Sequence, residues 1–97
     1  MTEIFYAPRA LADFDRLADF LLAQDETAAI ETGKILIDAI AHLARHPLVG
    51  RIVEHGLREL VISRGRTGYV ALYRFDAERD LIIVLAIKHQ RELDIGD

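Results

Sequence analysis

The residues with most scope for chemistry are the basic side chains and one histidine of the C-terminal half. Between positions 51 and 91 lie eight basic and five acidic side chains, a local excess of three positive charges in a chain whose formal net charge is −4. Residues 1–46 hold the opposite balance, with four basic and eight acidic side chains. An anionic target is therefore expected to meet the second half. The overall acidity argues against a general nucleic-acid coat, whose affinity comes from many phosphate contacts. Arg64, Arg66 and Arg74 can form a basic patch for an acidic surface or a phosphate, and they equally fit solvated charge in a hairpin loop and at a strand edge. Arg58 beside Glu59 reads as a target contact or as a surface pair, and exposed ion pairs contribute only roughly 0–1 kcal/mol. His89, between Lys88 and Arg91, is the most interesting single residue, because imidazole titrates near pH ~6.5 and can donate or accept a proton at physiological pH. The alternative is a strand-end histidine that hydrogen-bonds the sheet edge.

Other reactive constellations are missing from the sequence. His42, His46 and His55 show no regular metal-ligand spacing, so no metal site is expected. There is neither a phosphate-binding glycine loop nor a nucleophile elbow, and no cofactor is expected. The lack of cysteine excludes disulfides, thiolate-held zinc and a cysteine nucleophile, and is compatible with a reducing cytoplasm. The longest apolar run, Leu81 to Ile87, is far short of the roughly 20 residues that cross a bilayer. The N-terminus lacks the basic-then-apolar layout of a signal peptide. A cytoplasmic protein with no membrane partner is the expectation.

The elements that must position these residues are legible from periodicity. Glu3 to Ala7 is β-branched and aromatic-rich and fits a first strand, with Pro8 placed where a helix can begin. Leu11, Phe14, Ala18, Leu21 and Leu22 recur at helical spacing, which predicts an amphipathic helix of about four turns. Asp25 is a suitable N-cap for a second helix whose stripe is Ala29, Gly33, Leu36, Ile37, Ile40, Leu43 and Ala44. Arg45 and His46 fall in its last turn, and Pro47 stops it. Residues 47–56 read as a loop with a few anchoring apolar residues. Leu57–Ser63, Tyr69–Phe75 and Leu81–Ile87 then read as three strands of an antiparallel meander.

Together these give one domain over residues 1–97, an α+β two-layer sandwich in which a helical hairpin covers one face of the sheet. On the strand 69–75, Tyr69, Ala71, Tyr73 and Phe75 share one face and Val70, Leu72 and Arg74 the other. A cover on one side leaves apolar surface open on the other, which marks a partner site unless the C-terminal tail covers it. So small a domain buries only roughly 60–65% of the surface of its unfolded chain, and gains by having that face covered.

Four stretches resemble the RelE/ParE toxin superfamily: Leu43-Ala44-Arg45-His46-Pro47-Leu48-Val49-Gly50-Arg51; Gly56-Leu57-Arg58-Glu59-Leu60; Gly68-Tyr69-Val70-Ala71-Leu72-Tyr73-Arg74-Phe75; and Ile87-Lys88-His89-Gln90-Arg91. The resemblance implies the toxic half of a type II toxin–antitoxin pair, with a cognate antitoxin as partner. RelE-like members of the superfamily cut messenger RNA on the ribosome, which needs a proton donor and positive charge at the phosphate. In that branch an Arg follows the opening aromatic-like position of the third strand and an aromatic ends the chain. Here the first position is Val70, and the ending Glu92-Leu93-Asp94-Ile95-Gly96-Asp97 has no aromatic. ParE-like members poison DNA gyrase with no catalytic set of their own. The resemblance therefore implies a gyrase inhibitor rather than an enzyme, with Arg58, Arg64, Arg66, Arg74, Lys88, His89 and Arg91 meeting the target. In the alternative, a ribosome-dependent ribonuclease, His89 and Arg91 are the catalytic pair, since His89 falls where some members place an acid–base histidine. A third reading is a non-toxic binding module of the same fold.

Overall fold

The computed structural model describes residues 2–64 and 67–90. In chain order the elements are β1 (Glu3–Tyr6), α1 (Pro8–Leu22), α2 (Glu26–Ala41), β2 (Arg51–Ile52), β3 (Arg58–Arg64), β4 (Thr67–Asp76) and β5 (Leu81–His89). Short 3-10 turns occupy His42–Ala44 and Glu54–Gly56. The strands form one sheet in the order β1-β5-β4-β3-β2. Strands β2 to β5 pair antiparallel, whereas β1 lies parallel to β5, with Ile4 opposite Ile82 and Tyr6 opposite Val84. Both helices cover the same face, α1 over β5 and α2 against β3, which is the expected two-layer α+β sandwich.

Local signals account for the helix starts. Pro8 opens α1, where its missing N–H has no intrahelical partner to lose. Asp25 caps α2, its Oδ1 accepting from the N–H of Thr27 at 2.9 Å and of Ala28 at 3.4 Å, a cap of the kind that contributes about 1 kcal/mol. The end of α2 differs from expectation. The α-helix stops at Ala41 and tightens into the 3-10 turn, so Arg45 and His46 lie beyond it. Pro47 disfavours helical geometry at the residue before it, and a 3-10 turn lets Leu43 reach the core, where it is fully buried.

The buried stripe of α1 is rotated from the one the periodicity suggested, whereas that of α2 keeps Leu36 and Ile40, with Leu43 just beyond the helix, and loses Ile37. In α1 the buried residues are Ala10, Asp13 and Leu17, while Leu11 and Leu22 are exposed. In α2 they are Thr32, Leu36 and Ile40, while Ile37 is exposed. Each helix carries aliphatic residues on more than one side, so hydropathy alone does not fix its rotation. The contacts with the sheet do. Asp13 is drawn inward by a backbone bond to β5, and Tyr6 packs its ring against Phe14 at 5.6 Å between centroids. Burial there pushes the Tyr6 phenol above its usual pKa. Ile62, Tyr69, Ala71, Tyr73, Ile82, Val84 and Ile87 complete the core from the sheet side.

The segment 47–56 is more ordered than a loop. Arg51 and Ile52 add a fifth strand by pairing with Glu59 and Arg58, and an ion pair joins Arg51 to Glu59. A bulge interrupts the pairing of β4 with β5 between Leu72 and Tyr73, where Leu85 is the extra residue. At the β4–β5 turn, Asp76 accepts from both the backbone N–H and the guanidinium of Arg79, at 3.1 and 2.8 Å. Those bonds hold the Asp76 carboxyl below the usual carboxylate range.

Candidate functional site

Alternation along β4 separates the sheet into two faces. Tyr69, Ala71 and Tyr73 are buried beneath the helices, as expected, with Phe75 partly buried beside them. Val70, Leu72 and Arg74 point the other way. Register carries that face across the sheet: Val61 lies opposite Val70, Glu59 opposite Leu72, and on β5 Lys88 lies opposite Val70 and Ala86 opposite Leu72. Glu59, Val70, Leu72, Ala86 and Lys88 line a shallow depression. Its floor is aliphatic and its rim carries one carboxylate and one ammonium. Val61, 53% exposed, extends the apolar strip toward the tip of β3. Phe5, level with Ile83 and 55% exposed, extends it on β1. Val70 and Ala86, at the floor of the depression, are each only 7% exposed, although neither described helix packs on this face.

Two sets of long-range bonds fix the borders of the sheet. At the β2 side, the buried Tyr73 hydroxyl accepts from the Gly50 N–H at 2.9 Å and donates to the Pro47 carbonyl at 2.8 Å. Arg58 Nη1 donates to the carbonyls of Leu48 at 3.1 Å and Gly50 at 2.8 Å. Only glycine fits at position 50, because a Cβ there would stand 2.6 Å from the Tyr73 ring and 3.0 Å from the Glu59 carbonyl. At the other side β1 ends at Tyr6, so β5 beyond Val84 loses its strand partner. Helix α1 takes over that role: Asp13 Oδ2 accepts from the Ile87 N–H at 2.9 Å, and Arg16 reaches the Ile87 carbonyl at 3.5 Å. The roles of Asp13 and Arg16 carry no sequence signal, since polar residues between the apolar positions of an amphipathic helix are expected to face solvent.

The structure divides the residues expected to meet a target. Arg74 and Lys88 share the face opposite the helices, but Arg74 lies level with Ile83 and Lys88 with Val70, four residues away along β4 and so about 13 Å. Arg58 is turned to the 47–50 segment, as described. His89 lies opposite Tyr69, on the helix side, with the two rings edge to face at 5.1 Å. The backbone of Arg64 pairs with Thr67 at the β3–β4 hairpin. Arg66 and Arg91 lie outside the described residues. Among the described residues no group of three or more His, Asp or Glu is placed to hold a metal ion, and no helix is long and apolar enough to cross a membrane.

Known proteins are similar to this chain in sequence and in overall fold. Toxin RelE3 of Caulobacter vibrioides is 32% identical over 92 residues, covering 95% of this chain and 98% of the relative. The chromosomal ParDE toxin–antitoxin structure from P. aeruginosa superposes with a TM-score of 0.77 at 22% identity, over 92% of this chain and 96% of that one. The RelBE2 toxin–antitoxin complex from Mycobacterium tuberculosis superposes with a TM-score of 0.59 at 28% identity, over 91% and 90%. The family model for the ParE toxin of the parDE type II toxin–antitoxin system matches residues 4–94, from β1 through β5 and beyond. A match of that extent, on a sheet and helical hairpin of the same architecture, makes this chain a member of the ParE toxin family, within the RelE/ParE superfamily of type II toxins.

Proposed function

We propose that the chain acts by binding rather than by catalysis: it inhibits DNA gyrase and is neutralised by a cognate antitoxin. One observation carries this reading. His89 lies against Tyr69 on the helix side, away from Arg74 and Lys88 on the opposite face; Arg91, its expected partner in a ribonuclease, lies outside the described residues. Transfer of a phosphoryl group by a 2′-hydroxyl needs the proton donor and the positive charges within hydrogen-bond reach of the same group. A poison needs a surface, and the aliphatic depression between Glu59 and Lys88 is one.

Neutralisation follows from the same surface. The solved relatives from P. aeruginosa and M. tuberculosis are described as toxin–antitoxin assemblies, which supports an antitoxin partner here. An antitoxin segment that folds on binding can lay its apolar side chains on the open sheet face or on the exposed aliphatic residues of the helical hairpin, such as Ile30 and Ile37. The site of action is then the cytoplasm.

The test is a pair of assays on purified protein: gyrase supercoiling, and cleavage of ribosome-bound messenger RNA. Supercoiling is expected to fall and the messenger to stay intact. His89→Ala should change inhibition little, whereas Arg74→Glu combined with Lys88→Glu should weaken it. Messenger cleavage that disappears in His89→Ala, where loss of an acid or base costs about 10²–10⁴-fold, would replace this reading with the ribonuclease one.

A further inference from the structure

No metal site is expected from the sequence spacing of the histidines, yet the fold brings two of them together just beyond α2. The rings of His42 and His46 meet with their centroids 4.6 Å apart and their planes tilted by 38°. The backbone explains the contact. The His42 carbonyl accepts from the N–H of His46 at 3.2 Å as well as from that of Arg45 at 3.1 Å, so the chain completes one helical turn between the two histidines and sets their side chains side by side. That turn is fixed from within and from behind: Leu43 is fully buried, and the Pro47 carbonyl accepts from the Tyr73 hydroxyl at 2.8 Å. Both histidines are exposed, and among the described residues neither side chain has a hydrogen bond, an ion pair or a ring contact except with the other. His55, by contrast, has the Glu54 carboxylate at 3.7 Å.

We propose that His42 and His46 form a two-histidine chelate for a late divalent transition-metal ion, Ni²⁺ or Cu²⁺ in preference to Zn²⁺. Imidazole nitrogen suits these ions, whereas Mg²⁺ and Ca²⁺ take oxygen ligands. Distance decides the geometry. With metal–nitrogen bonds of about 2.0–2.1 Å, each ring centroid stands about 3.2 Å from a shared ion, which puts the centroids about 4.5 Å apart at a right angle and about 5.2 Å apart at the tetrahedral angle. The observed 4.6 Å matches neighbouring positions on an octahedral or square-planar ion. Among the described residues no carboxylate or further histidine joins the pair as a third ligand, so water fills the remaining positions. Arg45, between the two in the chain, is exposed, and solvent and salt screen its charge from the ion. A bound ion clips the last turn of the helical layer and stabilises the native state, because the fold already holds the rings together and the unfolded chain must gather them. The site is independent of the target on which the chain acts.

The test is calorimetric titration of the full chain, free of any affinity tag, with NiCl₂ and with MgCl₂, on the parent and on His42→Ala, His46→Ala and His55→Ala. One Ni²⁺ is expected to bind the parent, and Mg²⁺ none. His42→Ala and His46→Ala should each bind at least about tenfold more weakly, since the second nitrogen is no longer supplied at high effective concentration, while His55→Ala should bind like the parent. With the folded pair binding about tenfold more tightly than the unfolded chain, saturation raises Tm by about 6–11 °C. All three positions are exposed, so the metal-free Tm of each variant should stay within about 2 °C of the parent. Should a variant fail to fold, an NMR titration of the parent with Zn²⁺ decides: the ring signals of His42 and His46 should shift together and those of His55 should not. Ni²⁺ affinity that survives in both His42→Ala and His46→Ala, or is lost in His55→Ala, overturns the proposal. A Tm that does not rise at saturation overturns it too, because the fold then adds nothing to the chelate that the bare chain makes.

Discussion

Replacing Tyr73 by phenylalanine removes one oxygen and leaves the ring, so it isolates the bonds that tie the 47–50 segment to the sheet. The phenol is fully buried, accepts from Gly50 N–H at 2.9 Å and donates to the Pro47 carbonyl at 2.8 Å. Gly50 is itself buried, so its N–H is stranded in Tyr73→Phe, whereas the half-buried Pro47 can turn its carbonyl toward water. Leaving a buried donor unsatisfied costs about 1–3 kcal/mol. With a central value of ~2 kcal/mol, and about 4–8 °C per kcal/mol for a domain of this size, Tm should fall by about 8–16 °C. Calorimetry on parent and variant measures it, and amide exchange at Gly50 should accelerate in the variant. Gly50→Ala should destabilise too, and a double-mutant cycle with Tyr73→Phe should be non-additive, because part of the clash at Gly50→Ala is with the hydroxyl being removed. A Tm loss under about 2 °C would refute the reasoning, since water would then be replacing the phenol at no cost.

Asp13→Ala strands the Ile87 N–H on the side of β5 that β1 no longer reaches, and chemical denaturation should show a loss of about 1.5–3 kcal/mol, the range for bonds to charged groups. The Asp76 carboxyl should titrate below its ordinary value of 3.8 in an NMR pH series, and move back toward it in Arg79→Ala. Because the folded pKa is depressed, the turn's contribution to stability is present above the unfolded pKa and is lost as pH falls through the folded one. Cognate antitoxin at a hundredfold excess over Kd should stabilise the chain by about 2.7 kcal/mol, visible as a raised Tm. An unchanged Tm at saturation would count against an antitoxin bound to the native state.

The sequence by itself determined the elements that depend on near neighbours. Asp25 capping α2, Pro8 opening α1, the three strand runs and the two faces of β4 all follow from interactions spanning a few residues, and periodicity reports those directly. The basic lean of the C-terminal half was equally legible, as was the family. What only the tertiary structure decided are the pairings between backbone groups far apart in the chain. The parallel seat of β1 on β5, the α1 carboxylate of Asp13 on Ile87, and the Tyr73 hydroxyl on the 47–50 segment each satisfy a polar group whose need arises only once the sheet has formed. The candidate site shows the same division. Arg58, Arg74, Lys88 and His89 were singled out together by residue type, and the sheet separates them: alternation sends His89 to the helix side and Arg74 and Lys88 to the open face, and the carbonyls of Leu48 and Gly50 claim Arg58. Residue type announces what a side chain can do. Register and unsatisfied backbone groups decide where it stands, and neither is a local property of the sequence.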